Sequence, residues 1–468
     1  MKLTKQILIG AGLMLSLSCG SDFLDREPQQ NITDTEYLKS LKDFQSAIFG
    51  GYDQMQSSNW YGRYFLLVPD VMGEDVKQNA SANRAKEWAE YNGTFTNFIP
   101  EDVWKTIYEG INIANTMINA EYEPLESNKT EFNNILGQAY MLRAVGHFDL
   151  VRLYAQHYTY TADASHLGVP VVTAYDPMAL PSRNTVAEVY TQVLSDLITA
   201  EDLMTIDPSN AGYFSKEAAQ AMLSRVYLYM EDYENAEAKA TDVIDSQKYE
   251  LATAAAYPSM FLEGNSSEAI VEMVYSITDN PGSDHLGGMY KATGYGDYLP
   301  AKDLLDMMDD NDVRKTMFMS DPKLSGVYCC LRVNKYPSSG SQIGTDNIPV
   351  IRLSEVYLNR AEARARMNDF IGARSDLQLI RQRANPDAVP LTLTGDALTE
   401  EILKERRREL CFEGHRIFDI TRNKQDMVRE DCTSTICEVT YPNDRFILPI
   451  PDGETNANDN IDQNPDYY

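Results

Sequence analysis

Apolar positions recur at helical spacing through most of this 468-residue chain. From Ile135 to Tyr154, the residues Leu136, Tyr140, Leu142, Phe148, Val151 and Leu153 share one broad apolar face, which predicts a helix that buries it. Thr185 followed three residues later by Glu188 has the spacing of a capping box. Val189, Val193, Leu194 and Leu197 continue a helix behind it.

Two stretches, 218–245 and 353–384, predict helical hairpins of one design. Setting Ala236 on Ala373 superposes Met230-Glu231-Asp232-Tyr233 on Met367-Asn368-Asp369-Phe370. In such a turn the Asp caps the second helix, the aromatic fills the cleft between helices, and the Ala lets two backbones approach. The stretches 103–120 and 135–154 predict a fainter pair. Hairpins of this tetratricopeptide-like kind bury their apolar faces only by stacking on one another. The expected fold is therefore mainly α, a helical hairpin scaffold in one domain.

Two regions break that pattern. Near 250–350 Gly, Ser, Asn, Asp and Tyr dominate, with turn signals at Asn280-Pro281-Gly282 and Gly287-Gly288. A second irregular region, near 52–100, holds Trp60, Tyr61, Tyr64, Trp88 and Tyr91. Binding residues concentrate on loops carried by a rigid scaffold, so these insertions are the candidate ligand sites. A saccharide packs the C–H bonds of one face on an aromatic ring and offers its hydroxyl edge to a few convergent polar groups. Trp60 and Tyr61 lie beside Asn59 and Arg63, Trp88 near Tyr91 and Asn92, and Tyr290 near Tyr295, Asp297 and Tyr298. For each ring, simple packing of an insertion is the competing reading. Trp104 keeps helical spacing in Val103-Trp104-Lys105-Thr106-Ile107-Tyr108 and is assigned to the core.

Charge and the chain start narrow the function. A net charge of −29 with no basic stripe repels phosphate backbones, so nucleic acid is not an expected partner. Lys2 and Lys5 precede an apolar stretch from Ile7 to Leu17, too short for a permanent transmembrane helix. Leu15-Ser16-Leu17-Ser18-Cys19-Gly20 resembles the lipobox of bacterial lipoproteins. That resemblance implies a signal peptide over 1–18 and lipid attachment at Cys19, the mature N-terminus. With several acyl chains, at about 0.8 kcal/mol per buried methylene, the anchor would be permanent.

Catalytic chemistry finds no motif. Glu409, Glu413, His415, Arg416 and Asp419 crowd together, with Arg416 and Asp419 spaced to pair at i,i+3. Glu409 and Glu413 could be imagined as a glycosidase pair. Arg406, Arg407 and Arg408 would hold both ionised, where a catalytic acid needs a raised pKa, so a structural ion network is expected. The five histidines show no metal-ligand spacing, and the acidic run Asp306 to Asp312 lacks the Gly and terminal Glu of a calcium loop. There is no phosphate loop and no nucleophile elbow. The expectation is a non-enzyme with no cofactor and no metal. Cys432 and Cys437 could close a small loop, while the state of Cys329, Cys330 and Cys411 stays open.

Several segments in order carry a family resemblance. After Asp22-Phe23-Leu24-Asp25-Arg26-Glu27-Pro28 come Arg143 to Tyr154, Gly168-Val169-Pro170, and Arg183 to Tyr190. The 218–245 hairpin, Arg352 to Glu362, Ile402 to Leu410 and Phe412 to Arg422 follow, then Ile447-Leu448-Pro449-Ile450-Pro451 and Gln463-Asn464-Pro465. Together they resemble the SusD/RagB family of outer-membrane nutrient-binding lipoproteins. Ile417 stands where that family often has Trp, at a position that reads as structural. The resemblance implies a SusD-like helical domain over 19–468, with ligand-binding insertions near 52–100 and 250–350. It also implies a surface-exposed lipoprotein of the outer membrane that delivers a glycan or oligosaccharide to a SusC-like TonB-dependent transporter. Competing readings are a peptide receptor of the same fold, a tetratricopeptide-type adaptor for protein segments, and a surface glycosidase.

Overall fold

A computed structural model describes residues 38–262, 266–338 and 342–467. The leader and Cys19 lie outside the described residues. Eleven helices of seven or more residues carry the described fold: α1 Leu41–Gln56, α2 Tyr64–Met72, α3 Phe98–Ile118, α4 Lys129–Tyr154, α5 Val186–Leu203, α6 Lys216–Tyr229, α7 Tyr233–Asp245, α8 Leu353–Arg366, α9 Phe370–Ala384, α10 Gly395–Leu410 and α11 Arg416–Arg422.

Helix α4 is the axis of the N-terminal half. Of the predicted face, Leu142, Phe148, Val151 and Leu153 are buried and Leu136 and Tyr140 half-buried, and the helix is also buried around most of its circumference, with α3 on one side and α5 on another. Two glycines permit that. A Cβ on Gly146 would come within 2.7 Å of the Ile111 side chain, and one on Gly137 within 2.7 Å of Met204. The capping box forms as the spacing predicts: Thr185 Oγ1 accepts from the Glu188 amide at 3.2 Å, and Glu188 Oε2 accepts from the Thr185 amide at 2.9 Å.

Both hairpins form, α6 with α7 and α8 with α9, and their turns match in detail. Asp232 caps α7 through the Asn235 amide, and Asp369 caps α9 through the Gly372 amide at 3.0 Å. Glu231 and Asn368, each just before the cap, share a left-handed conformation with φ of 62° and 67°. Ala236 and Ala373 are fully buried. Ala236 packs on Leu228 and Ala363, at the crossing between the hairpins. Ala236→Leu is therefore expected to overpack that crossing and cost about 1–3 kcal/mol, read as a lower urea midpoint. A change below about 0.5 kcal/mol contradicts this crossing geometry.

The two irregular regions are more ordered than their sequence predicts. Within 52–100, Tyr64–Met72 is helical and buried on all sides. It has no polar face, so it lacks the periodicity that marks a surface helix. Within 250–350, short strands pair antiparallel: β2 Ala269–Met273 with β6 Ile348–Arg352, and β4 Phe318–Ser320 with β5 Leu331–Val333. One cluster of buried apolar residues takes in members from Leu38 to Tyr467. Cys432 and Cys437 form a disulfide that closes a small loop, and Cys411 is a buried free thiol.

Candidate functional site

The two insertions meet. Strand β1 (Val76–Gln78) pairs antiparallel with β3 (Tyr298–Pro300), so segments more than 200 residues apart in sequence share one face. Past β1, the Asn79 amide donates to the Asp297 carbonyl at 2.8 Å, and Asn79 Nδ2 donates to the Gly296 carbonyl at 2.9 Å. Arg84 donates to Asp297 Oδ2 from its backbone amide and from Nη1, each at 3.2 Å. That anchorage lays the Arg84 guanidinium over the Tyr295 ring, 3.1 Å from its centroid. The Tyr295 hydroxyl donates to Asp284 Oδ1 at 3.0 Å, and Asp284 also pairs with Arg63. Arg63 lies over the ring of Tyr64, which packs edge-on against Phe98.

This chain of contacts is solvent-facing at several points. Tyr295 and Arg84 are half-buried, the Asp284 side chain is 51% exposed, and Phe98 is 52% exposed. A planar ring, the Arg84 guanidinium and the Asp284 carboxylate within one patch supply both kinds of contact that a saccharide uses, a stacking surface and directional polar groups, while the buried Arg63 holds Asp284 from behind.

Most of the aromatics predicted as stacking platforms do not reach that patch. Trp60, Tyr61, Trp88, Tyr290 and Tyr298 are each at most 2% exposed and offer no free ring face. Trp60 donates from its indole nitrogen to Asp149 at 2.7 Å and stacks on Tyr61. Trp88 fills the space over Gly93, where a Cβ would lie 2.3 Å from its ring. Tyr290 stacks parallel to Tyr336 and donates to Asp70. Tyr298 donates to the Arg84 carbonyl at 2.7 Å. These rings pack the insertions internally, against each other and, at Trp60, against α4, and that packing is why they are unavailable. Tyr91 is half-buried with its hydroxyl on the Met72 carbonyl, and Asn92 is exposed. Of the predicted group, Tyr295 joins the patch. Arg84 and Asp284 were missed: neither is distinctive in sequence, and only the β1–β3 pairing brings them together.

The acidic segment behaves as a buried ion network. Glu409 accepts from Arg352 at 2.6 Å, from Arg314 at 3.2 Å and from Arg383. Glu413 accepts from Arg352 at 2.7 and 3.0 Å and from Lys335. Glu405 accepts from Arg314 at 2.8 Å. Burial alone would raise the pKa values of Glu405, Glu409 and Glu413. The surrounding guanidiniums, with Lys335 at Glu413, overcome it and hold all three below the ordinary range. Neither Glu409 nor Glu413 is poised as a proton donor. The expected Arg416–Asp419 pair is absent. Asp419 is taken by Arg406 and Arg422, and Arg416 turns instead to Glu74 at 2.7 Å. Among the described residues no cluster of three His, Cys, Asp or Glu could hold a metal, and no helix is long and apolar enough to cross a membrane.

Comparisons with known proteins point one way. Residues 325–467 match a family model described as the SusD family, and residues 22–228 match one described as starch-binding, associating with outer membrane. The chain is similar to a SusD-like protein P2 of Formosa agariphila, 25% identical across 97% of this chain and 98% of that one. Among solved structures it is similar to a putative sugar binding protein of Bacteroides vulgatus, with 33% identity and a TM-score of 0.85 over 92% of this chain and all of that one. A SusD superfamily protein of Bacteroides thetaiotaomicron matches with 30% identity and a TM-score of 0.84, over 91% of this chain and all of that one.

Proposed function

We propose that this chain, which belongs to the SusD family, is a carbohydrate-binding lipoprotein of the outer membrane that passes oligosaccharide to a SusC-like TonB-dependent transporter. The observation that carries the binding reading is the patch where both insertions meet. The Tyr295–Arg84 pair supplies a flat surface for sugar C–H bonds, while Asp284, held by the buried Arg63, supplies a charged partner for hydroxyls. The relatives support the ligand class, since one carries sugar binding in its description and a matching family model carries starch binding. The chain acts as a receptor without turnover. Its most crowded carboxylates, Glu405, Glu409 and Glu413, are committed to arginines. A glycan-array screen of the purified mature chain is expected to give binding to at least one oligosaccharide, and silence across the array contradicts the reading.

The anchor and the transporter go together. A lipid on Cys19 would confine both proteins to one membrane, so that a modest interface persists through a high effective concentration. Cys19→Ala is expected to release the folded protein from the outer-membrane fraction and to abolish its recovery with the transporter. Continued sedimentation of Cys19→Ala with washed outer membranes contradicts the lipid assignment.

A further inference from the structure

A groove of about 290 Å3 opens between the C-terminal half of α1, the loop around 210–213, and β2. It shares no residue with the Tyr295 patch. Its wall is aromatic. Tyr213 meets Tyr52 edge-on at 5.5 Å and Phe49 at 6.0 Å. Phe49 is 54% exposed, although the other large apolar residues along the inner face of α1, Phe44, Ile48 and Met55, are fully buried. The scaffold therefore does not need that ring for its core.

The groove is also acidic, with no counter-charge. Glu272 is 4% exposed and lines it, and one carboxyl oxygen accepts from Asn347 Nδ2 at 2.8 Å. Among the described residues no basic side chain pairs with it or with Asp53, the exposed carboxylate on the same wall, and no lining residue is basic. Burial pushes the Glu272 pKa up to about 7, as expected for a carboxyl without a cation. The loop is built tightly against the strand. An irregularity at Val271/Glu272 frees the Glu272 amide to donate to the Ala211 carbonyl at 2.9 Å. A Cβ on Gly212 would come within 2.9 Å of Asn210 and Val274.

We propose that this groove binds the protonated amine of an organic ligand, carried by an amino sugar or by a lysine side chain. Ring faces attract an ammonium, and an ammonium gives the buried Glu272 and the exposed Asp53 the counter-charge they lack. A neutral sugar would leave both acids as they are, and an anion would be repelled.

Calorimetric titration of the mature chain tests this with glucosamine and Nα-acetyl-lysine amide, each against an uncharged counterpart, N-acetylglucosamine and Nα-acetyl-norleucine amide. At least one amine is expected to bind about tenfold or more tightly than its counterpart. Binding by glucosamine alone identifies an amino sugar, by the lysine amide alone a peptide side chain, and by both the shared ammonium. Asp53→Asn and Phe49→Ala alter exposed side chains and are each expected to weaken the amine severalfold. Amine binding is expected to persist in Tyr295→Ala, which separates this groove from the carbohydrate patch. Equal binding of charged and uncharged probes, no binding of either amine, or variants that bind like the parent overturns the proposal.

Discussion

Arg352→Met is expected to destabilise the folded chain by about 3–5 kcal/mol, the cost of leaving buried charges without their partner. The guanidinium of Arg352 donates to Glu409 Oε1 at 2.6 Å and to both oxygens of Glu413, and reaches Glu268 at 3.2 Å. Glu268 and Glu409 are completely buried and Glu413 nearly so. Met preserves much of the volume but none of the charge. The variant must either bury poorly compensated carboxylates or protonate them, and both are costly. The network as a whole need not be stabilising relative to an apolar core, so pairing Arg352→Met with Glu413→Leu should recover part of the loss. Urea denaturation of the three proteins measures this. A loss below about 1 kcal/mol for Arg352→Met contradicts the network as described.

Trp88→Ala is expected to cost a similar amount, about 3–5 kcal/mol, through the cavity it opens. The ring is 2% exposed and packs against Gly93 so closely that no side chain fits there. Its indole nitrogen has no hydrogen-bond partner among the described residues, so the loss is one of packing rather than of polar contact. The folded fraction should bind carbohydrate within about twofold of the parent, because Trp88 presents nothing to solvent. Affinity that falls tenfold with stability unchanged would place the ring in the ligand site after all.

The helical scaffold was legible because its signals are local. Periodicity over one helix, the Thr185–Glu188 box and the repeated Asp caps at Asp232 and Asp369 need no knowledge of distant segments. The α2 helix was not legible, because an element buried on all sides carries no alternation to detect. The loop aromatics failed for a different reason. Whether a ring in an irregular segment faces ligand or core is decided by what folds over it, and the partners of Trp60 (Asp149) and Tyr290 (Asp70 and Tyr336) are distant in sequence. Arg416 shows the same limit: i,i+3 spacing from Asp419 made a local pair expected, but Glu74, from the far end of the sequence, competes successfully for it.

Carbohydrate binding is assigned to the patch where Tyr295 and Arg84 meet Asp284 and Arg63. Calorimetric titration of the mature chain and of Tyr295→Ala, with one oligosaccharide that binds in an array screen, tests it most directly. Tyr295 is half-buried at the surface, so the variant should keep its fold. Removal of one stacking ring is expected to weaken affinity about tenfold, equivalent to about 1.4 kcal/mol. Identical binding isotherms for the two proteins would show that carbohydrate binds elsewhere and contradict the assignment.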